Sequence, residues 1–136
     1  MSAGADTVEG GCLCGAVRYR VTLPSKWCAH CHCSQCRRYH GAGYVTFAGF
    51  ENNAFALIQD DALRWHASSP EARRGFCANC GSSLLFRSSR WPGEMHVTLG
   101  SLDGPIDRAP QVHAFHATHV DWMALDPELP AVDPDP

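Results

Sequence analysis

The sequence predicts a mainly β protein that forms two packed sheets in one domain. Its 136 residues, of which 45% are apolar and 18% charged, suit a single soluble core. Short stretches of β-favouring residues recur along the chain, and Pro, Gly, Asn and Asp separate them. Short strands at this spacing are typical of all-β architectures.

The first strand is predicted at residues 16–23. There Val17, Tyr19 and Val21 alternate with polar side chains, and a period of two fits a half-buried strand. Pro24 ends this stretch because proline lacks a backbone N–H.

The next segments mix extended and helical signals. Residues 27–31 read as a short extended piece, and residues 34–40 as a helical turn that ends before the glycines at 41–43. Aromatic and β-branched residues at 44–50 favour another strand. Residues 54–59 stay open between a helical turn and a strand, since so short an apolar run has no decisive period.

The remaining strands are predicted where apolar runs lie between turn residues. They are residues 63–67, 73–76, 83–87, 95–99 and 112–115. From Asp126 onwards the last eleven residues carry four prolines and four acids, which predicts an extended or disordered tail. The chain 1–136 is therefore read as one domain, with its ordered part at about residues 8–125.

Composition and charge exclude several classes of partner. Eleven Lys and Arg against fourteen Asp and Glu give a formal net charge of -3, so no global basic field favours nucleic acid. No stretch approaches the 18 or so apolar residues of a membrane span, and the first residues lack the pattern of a secretion signal. We expect a cytoplasmic protein that binds neither nucleic acid nor membrane.

The chain has eight cysteines, all of them in short-spaced clusters. In a reducing compartment such clusters indicate metal or redox chemistry rather than disulfides. They are a C-x-C pair at Cys12 and Cys14, a C-x2-C-x-C-x2-C run at Cys28, Cys31, Cys33 and Cys36, and a C-x2-C pair at Cys77 and Cys80.

The outer two clusters predict one closed metal site. Cys77 and Cys80, followed by Gly81, form half of a zinc-ribbon type site, because the tight turn directs two sulfurs at one ion. Cys12 and Cys14 project to the same side of an extended segment and can supply the other two ligands. Metal binding there would contribute directly to folding.

The middle cluster predicts a second site, which is either open or closed. Cys31 and Cys33 share a face, and a helical turn brings Cys36 back towards them. Three thiolates leave a coordination position open, as in catalytic zinc sites. Alternatively, Cys28 closes the site as a fourth structural ligand, and the residues alone do not choose between these readings.

Three longer motifs resemble the glutathione-dependent formaldehyde-activating enzyme family, which also includes centromere protein V-type members. Seven spaced cysteines make this resemblance more specific than any single C-x2-C pair. The motifs are GGCLCGAVRY at 10–19, CHCSQCRR at 31–38 with Gly41 and Ala42, and RGFCANCGS at 74–82, and the match continues through GSLD at 100–103, Pro110, His113 and Trp122.

The resemblance implies a mainly β, Mss4-like fold that holds two zinc ions per chain. It implies a structural zinc on Cys12, Cys14, Cys77 and Cys80 and a catalytic zinc on Cys31, Cys33 and Cys36. The implied activity is that of a carbon-sulfur lyase, the formation of S-(hydroxymethyl)glutathione from glutathione and formaldehyde. The implied partner is a small thiol.

Charged and aromatic neighbours of these motifs complete the set of candidates. Arg37 and Arg38 follow the last ligand and are expected to offset thiolate charge or to bind a glutathione carboxylate. Arg74 is expected either to line the cleft beside the middle cysteine cluster or to face water. His113 suits proton transfer by its chemistry, although a core or surface role is favoured, and Trp122 is expected in the core.

The leading hypothesis is a zinc-dependent carbon-sulfur lyase that binds a thiol at Cys31, Cys33 and Cys36. The first alternative is a non-enzymatic, zinc-stabilised binding module in which both metal sites are structural. A further alternative is a redox protein that cycles the middle cluster between dithiol and disulfide. The position of Cys28 discriminates between the lyase and the binding module, because the binding module would use Cys28 as a metal ligand.

Overall fold

The fold is built from short strands, as the computed structural model shows for residues 6–133. Within that range the chain forms eleven strands, one α-helix and three 3-10 turns. The strands are β1 (Thr7–Gly11), β2 (Arg18–Thr22), β3 (Trp27–Cys31), β4 (Val45–Glu51), β5 (Phe55–Gln59), β6 (Leu63–Ala67), β7 (Ala72–Cys77), β8 (Ser83–Ser88), β9 (Glu94–Thr98), β10 (Val112–Ala114) and β11 (Ala131–Val132). The helix is α1 (Ser34–His40), and the 3-10 turns are Asn52–Ala54, Leu99–Ser101 and His116–Thr118. None of the described helices is long and apolar enough to cross a membrane.

The strands are divided between a small and a large sheet. The small sheet is antiparallel in the order β1-β2-β5. The large sheet has the order β11-β10-β3-β4-β9-β8-β7-β6, in which β10 runs parallel to both β3 and β11 while the other pairs are antiparallel.

The main core lies between the two sheets. Tyr19 and Val21 of β2 point inwards because they occupy alternate positions of that strand, and both are fully buried. They belong to the same apolar cluster as Phe50, Leu84 and Val97 of the large sheet. One face of the large sheet is therefore used for the core, and its other face remains for the site.

The predicted mainly β architecture is confirmed. The strands predicted at 16–23, 27–31 and 44–50 are β2, β3 and β4, and the helical turn at 34–40 is α1. Residues 54–59, which the sequence left open, contain strand β5. Its partner β2 supplies the hydrogen bonds that make it a strand, and this pairing is not visible in so short a sequence.

The end of the chain contains a short strand, and Trp122 differs from expectation. Residues 131–132 form β11 beside β10, and residues 127–129 before it form a turn and a bend; residues 134–136 of the predicted tail lie outside the described part. The expectation that Trp122 packs in the core is wrong, because its side chain is 68% exposed. Its ring edge instead lies over Gly43, whose missing side chain leaves room for it.

Candidate active site

Four cysteines converge between the two sheets, as the sequence predicts. Cys12 and Cys14 lie in the loop after β1, whereas Cys77 is the last residue of β7 and Cys80 lies in the turn that follows. The Sγ atoms of Cys12 and Cys14 are 3.6 Å apart, and those of Cys14 and Cys77 are 3.7 Å apart. Zinc–sulfur bonds of about 2.3 Å in a tetrahedron place sulfurs about 3.8 Å apart. The cluster therefore fits a zinc ion.

Hydrogen bonds hold the sulfurs of this cluster in place. The N–H of Val17 donates to Cys12 Sγ over 3.2 Å. The Ser82 hydroxyl lies 3.2 Å from Cys80 Sγ and accepts from the N–H of Leu13 over 3.0 Å, which links the two loops. The hydrogen bond from Ser82 lowers the pKa of Cys80 to about 5, so this sulfur is readily available as a thiolate.

Cys31, Cys33 and Cys36 form a second group of sulfurs, called here the cysteine trio. All three Sγ atoms lie within 4.8 Å of one another, and those of Cys31 and Cys36 are 3.5 Å apart. Helix α1 creates this arrangement, because Cys33 is its N-cap and its Sγ accepts from the N–H of Cys36 over 3.2 Å. The separations fit three corners of a zinc tetrahedron.

The three thiols of the trio shift one another's pKa values in opposite directions. Hydrogen bonds from the thiols of Cys31 and Cys36 lower the pKa of Cys33 to about 2. Hydrogen bonds with Cys33 and Cys36, together with burial, raise the pKa of Cys31. One negative sulfur is thus stabilised by protons on its neighbours, and a metal ion would replace those protons.

Cys28 does not join the trio. Side chains alternate along β3, so Cys28 points to the face opposite that of Trp27, Ala29 and Cys31, and it is buried. Burial raises the pKa of Cys28 to about 11, which keeps it a thiol. In the described part of the chain, no Cys, His, Asp or Glu supplies a fourth ligand to the trio. The closed reading of the site is therefore not supported.

The trio lies at a cavity on the second face of the large sheet. The cavity has a volume of about 650 Å³, within the range of ligand sites. Its lining includes Cys31, Cys33 and Cys36 together with side chains of β3, β4, β7, β8 and β9.

Arg74 is the charged residue that touches the trio. It is 3% exposed, and its Nη1 donates to Cys36 Sγ over 3.5 Å. Its Nε donates to the Ser68 hydroxyl over 3.1 Å, and its guanidinium lies 4.8 Å from the ring centre of Phe86. Sequence reasoning left Arg74 undecided between cleft and solvent. The sequence offered one indication of the cleft position. Arg74 lies two residues after the small residue Ala72 and therefore on the same face of β7.

Arg37 and Arg38 lie on α1 and do not line the cavity. Arg38 is exposed on α1, and Arg37 is half-buried with no hydrogen-bond partner for its Nε. Neither is among the described residues that line the cavity.

His113 is buried, which agrees with the core or surface role that the sequence favours over proton transfer. It is 3% exposed, and its Nδ1 lies 2.9 Å from Nε2 of His32. Its Nε2 donates to the carbonyl of Asp126 over 3.1 Å. Its neighbours Val112 and Ala114 line the cavity, so the alternation of β10 turns His113 away from it.

Comparisons with known proteins agree with this geometry. Residues 7–118 match the family model described as glutathione-dependent formaldehyde-activating enzyme. A Halomonas elongata protein, provisionally named as such an enzyme, is 31% identical over 132 residues, which cover 88% of this chain and 81% of that protein. A Schizosaccharomyces pombe protein named as an uncharacterized lyase is 31% identical over 78 residues, covering 57% of this chain and 56% of the other. A crystal structure of a Rhodobacter sphaeroides protein shares the fold, with a TM-score of 0.63 at 24% identity, over 90% of this chain and 98% of that one.

Proposed function

The chain belongs to the glutathione-dependent formaldehyde-activating enzyme family, and on that premise we propose that it is a zinc-dependent carbon-sulfur lyase. It joins a thiol such as glutathione to formaldehyde or a related small electrophile. In the direction of addition, a sulfur–carbon bond forms and the carbonyl π bond breaks. The proton of the thiol ends on the former carbonyl oxygen, so atoms and electrons balance.

One observation carries this proposal. The chain offers four sulfurs to one metal position and three to the other, and the trio borders the cavity. Four protein ligands are typical of structural zinc, whereas three protein ligands are typical of catalytic zinc. We therefore assign a structural zinc to Cys12, Cys14, Cys77 and Cys80 and a catalytic zinc to the trio.

The residues of the cavity have distinct tasks in the proposed reaction. A zinc ion on the trio would supply a cation that lowers the pKa of an incoming thiol. Arg74 places positive charge against Cys36 and offsets the negative charge of the sulfurs. We propose that Arg37 and Arg38 contact a substrate carboxylate, provided that this carboxylate reaches the outer surface of α1.

We also propose that the protein works in the cytoplasm. All eight cysteines are free thiols in the structure, and a reducing compartment keeps thiols free for metal binding.

The test is the zinc content and turnover of a Cys33→Ser variant. We expect the wild type to hold two zinc ions and the variant to hold one, to stay folded, and to lose turnover of glutathione with formaldehyde. Cys28→Ser is the matched control, since Cys28 is outside both clusters, and it should keep both ions and full turnover. Full turnover by Cys33→Ser would overturn the proposal, and metal loss from Cys28→Ser would favour a closed structural site.

A further inference from the structure

Five rings form a continuous surface in the cavity, called here the aromatic floor. They belong to Trp27, Phe47, Phe86, Trp91 and His96, all of which line the cavity. The ring centres of Trp27 and His96 are 4.6 Å apart, those of Phe86 and His96 are 5.6 Å apart, and those of Phe86 and Trp91 are 6.2 Å apart. These separations are typical of interacting aromatic side chains.

Strand register explains why the rings adjoin. Trp27 pairs with Gly49, Gly49 with His96, His96 with Phe86, and Phe86 with Arg74. Directly paired residues point to the same face of a sheet, so these positions form one row across five strands. Gly49 has no side chain, and the indole of Trp27 lies over it against His96.

The polar edges of the floor already have partners. Glu94 Oε1 accepts from Trp27 Nε1 over 3.2 Å and from His96 Nε2 over 2.9 Å. Glu94 Oε2 pairs with Lys26 Nζ at 2.8 Å. Burial lowers the pKa of His96, which favours its neutral form. Phe47 and His96 are buried within the floor, so the partly exposed rings of Trp27, Phe86 and Trp91 present the apolar faces to a ligand.

The floor begins at the cysteine trio. Cys36 and Phe47 belong to one buried cluster, against which Trp27, Phe86 and Cys31 pack. A carbonyl compound that meets a thiol at the fourth corner of the trio would thus rest on ring faces. Glutathione carries carboxylates and an ammonium group, which gain little from such a surface, and formaldehyde has too few atoms to cover it.

We propose that the aromatic floor binds a planar apolar group, such as an aryl ring, on the carbonyl half of the substrate. This inference rests on the proposed lyase function and specifies its electrophile as an aryl aldehyde. The thiol sulfur bonds to the aldehyde carbon, the carbonyl π electrons move to oxygen, and the thiol proton joins that oxygen. The aryl ring stays on the floor throughout.

The first experiment measures binding without any reaction. Zinc-loaded protein is titrated with benzyl alcohol and with ethanol, and the affinities are followed by ligand-observed NMR. We expect benzyl alcohol to bind at least about tenfold more tightly, because its ring buries apolar area on aromatic faces. Trp91→Ala should remove most of this preference, and Phe86→Leu, which keeps apolar volume without a flat ring, should reduce it. Trp122→Ala is the matched control, since Trp122 is exposed and lies outside the cavity, and it should preserve the preference.

The second experiment compares aldehydes. With glutathione as the thiol, the rate enhancement over the uncatalysed addition should be at least about tenfold larger for benzaldehyde than for formaldehyde. Turnover of formaldehyde with no aryl preference in binding or rate would overturn this inference and keep the lyase. Binding of benzyl alcohol without turnover of either aldehyde would overturn the lyase proposal and keep the aromatic site. Trp91→Ala with an unchanged aryl preference would contradict the role of the floor.

Discussion

Arg74 is the residue that separates the trio from an ordinary cluster of buried thiols. Burying a cation without an acidic partner is costly. The buried guanidinium of Arg74 nevertheless contacts Cys36 Sγ through Nη1, and it also contacts a hydroxyl and ring faces. This placement makes sense when the three sulfurs are ionised around a metal, because the guanidinium then faces net negative charge.

We therefore predict that Arg74→Met weakens zinc binding at the trio. A hydrogen bond to a charged group contributes about 1.5–3 kcal/mol, so affinity should fall by about tenfold or more. A titration against a chromophoric chelator measures this, and Arg74→Lys should recover part of the loss. Arg73→Met is the matched control, since Arg73 is exposed and its Nη1 donates to backbone carbonyls. Equal zinc affinity in the Arg74 and Arg73 variants would contradict this role.

Among the secondary-structure elements, strand β4 decides the shape of the cavity. Its Phe47 belongs to the aromatic floor, and two residues later Gly49 leaves space that the indole of Trp27 fills. Because the same strand pairs with β3 on one side and β9 on the other, it sets the separation between Trp27 and His96.

Gly49→Ala is predicted to destabilise the protein and to disturb the floor. The new methyl group would collide with the Trp27 ring, and overpacking of this kind costs about 1–3 kcal/mol. Chemical denaturation gives the change in the free energy of unfolding. Gly100→Ala is a suitable control because nothing lies within 4 Å of the added atom, and a similar loss in both variants would argue against the collision.

At the scale of the whole molecule, the four-cysteine site joins the two sheets. Cys12 and Cys14 lie between β1 and β2 of the small sheet, while Cys77 ends β7 and Cys80 lies between β7 and β8 of the large sheet. A metal there links segments that are distant in sequence, whereas the trio lies within one short stretch around α1.

The two sites should thus differ in their effect on stability. Structural zinc contributes about 10–16 kcal/mol of binding free energy in small zinc-dependent domains, so we expect Cys77→Ser to lower the unfolding free energy by more than about 3 kcal/mol. Thermal unfolding of the zinc-loaded proteins measures the difference, with Cys33→Ser expected to unfold near the wild type. Similar destabilisation by both substitutions would contradict the division into a structural and a catalytic site.

Local sequence determined most strands, helix α1, the four-cysteine cluster and the grouping of Cys31, Cys33 and Cys36. Alternation in 16–23 and the spacing of Cys31, Cys33 and Cys36 act over a few residues, so they can be read without knowing the fold. The acidic, proline-rich end of the chain gave no sign that residues 131–132 would pair with β10, since that strand depends on a distant partner.

Only the tertiary structure decided what surrounds the trio. Cys28 was excluded from the trio because it lies on the opposite face of β3 from Cys31. Arg74 rather than Arg37 or Arg38 reached the sulfurs, and the rings of Trp27, Phe86 and His96 met, because strand pairing fixed their register. Register couples residues that lie tens of positions apart, and no local pattern encodes that coupling.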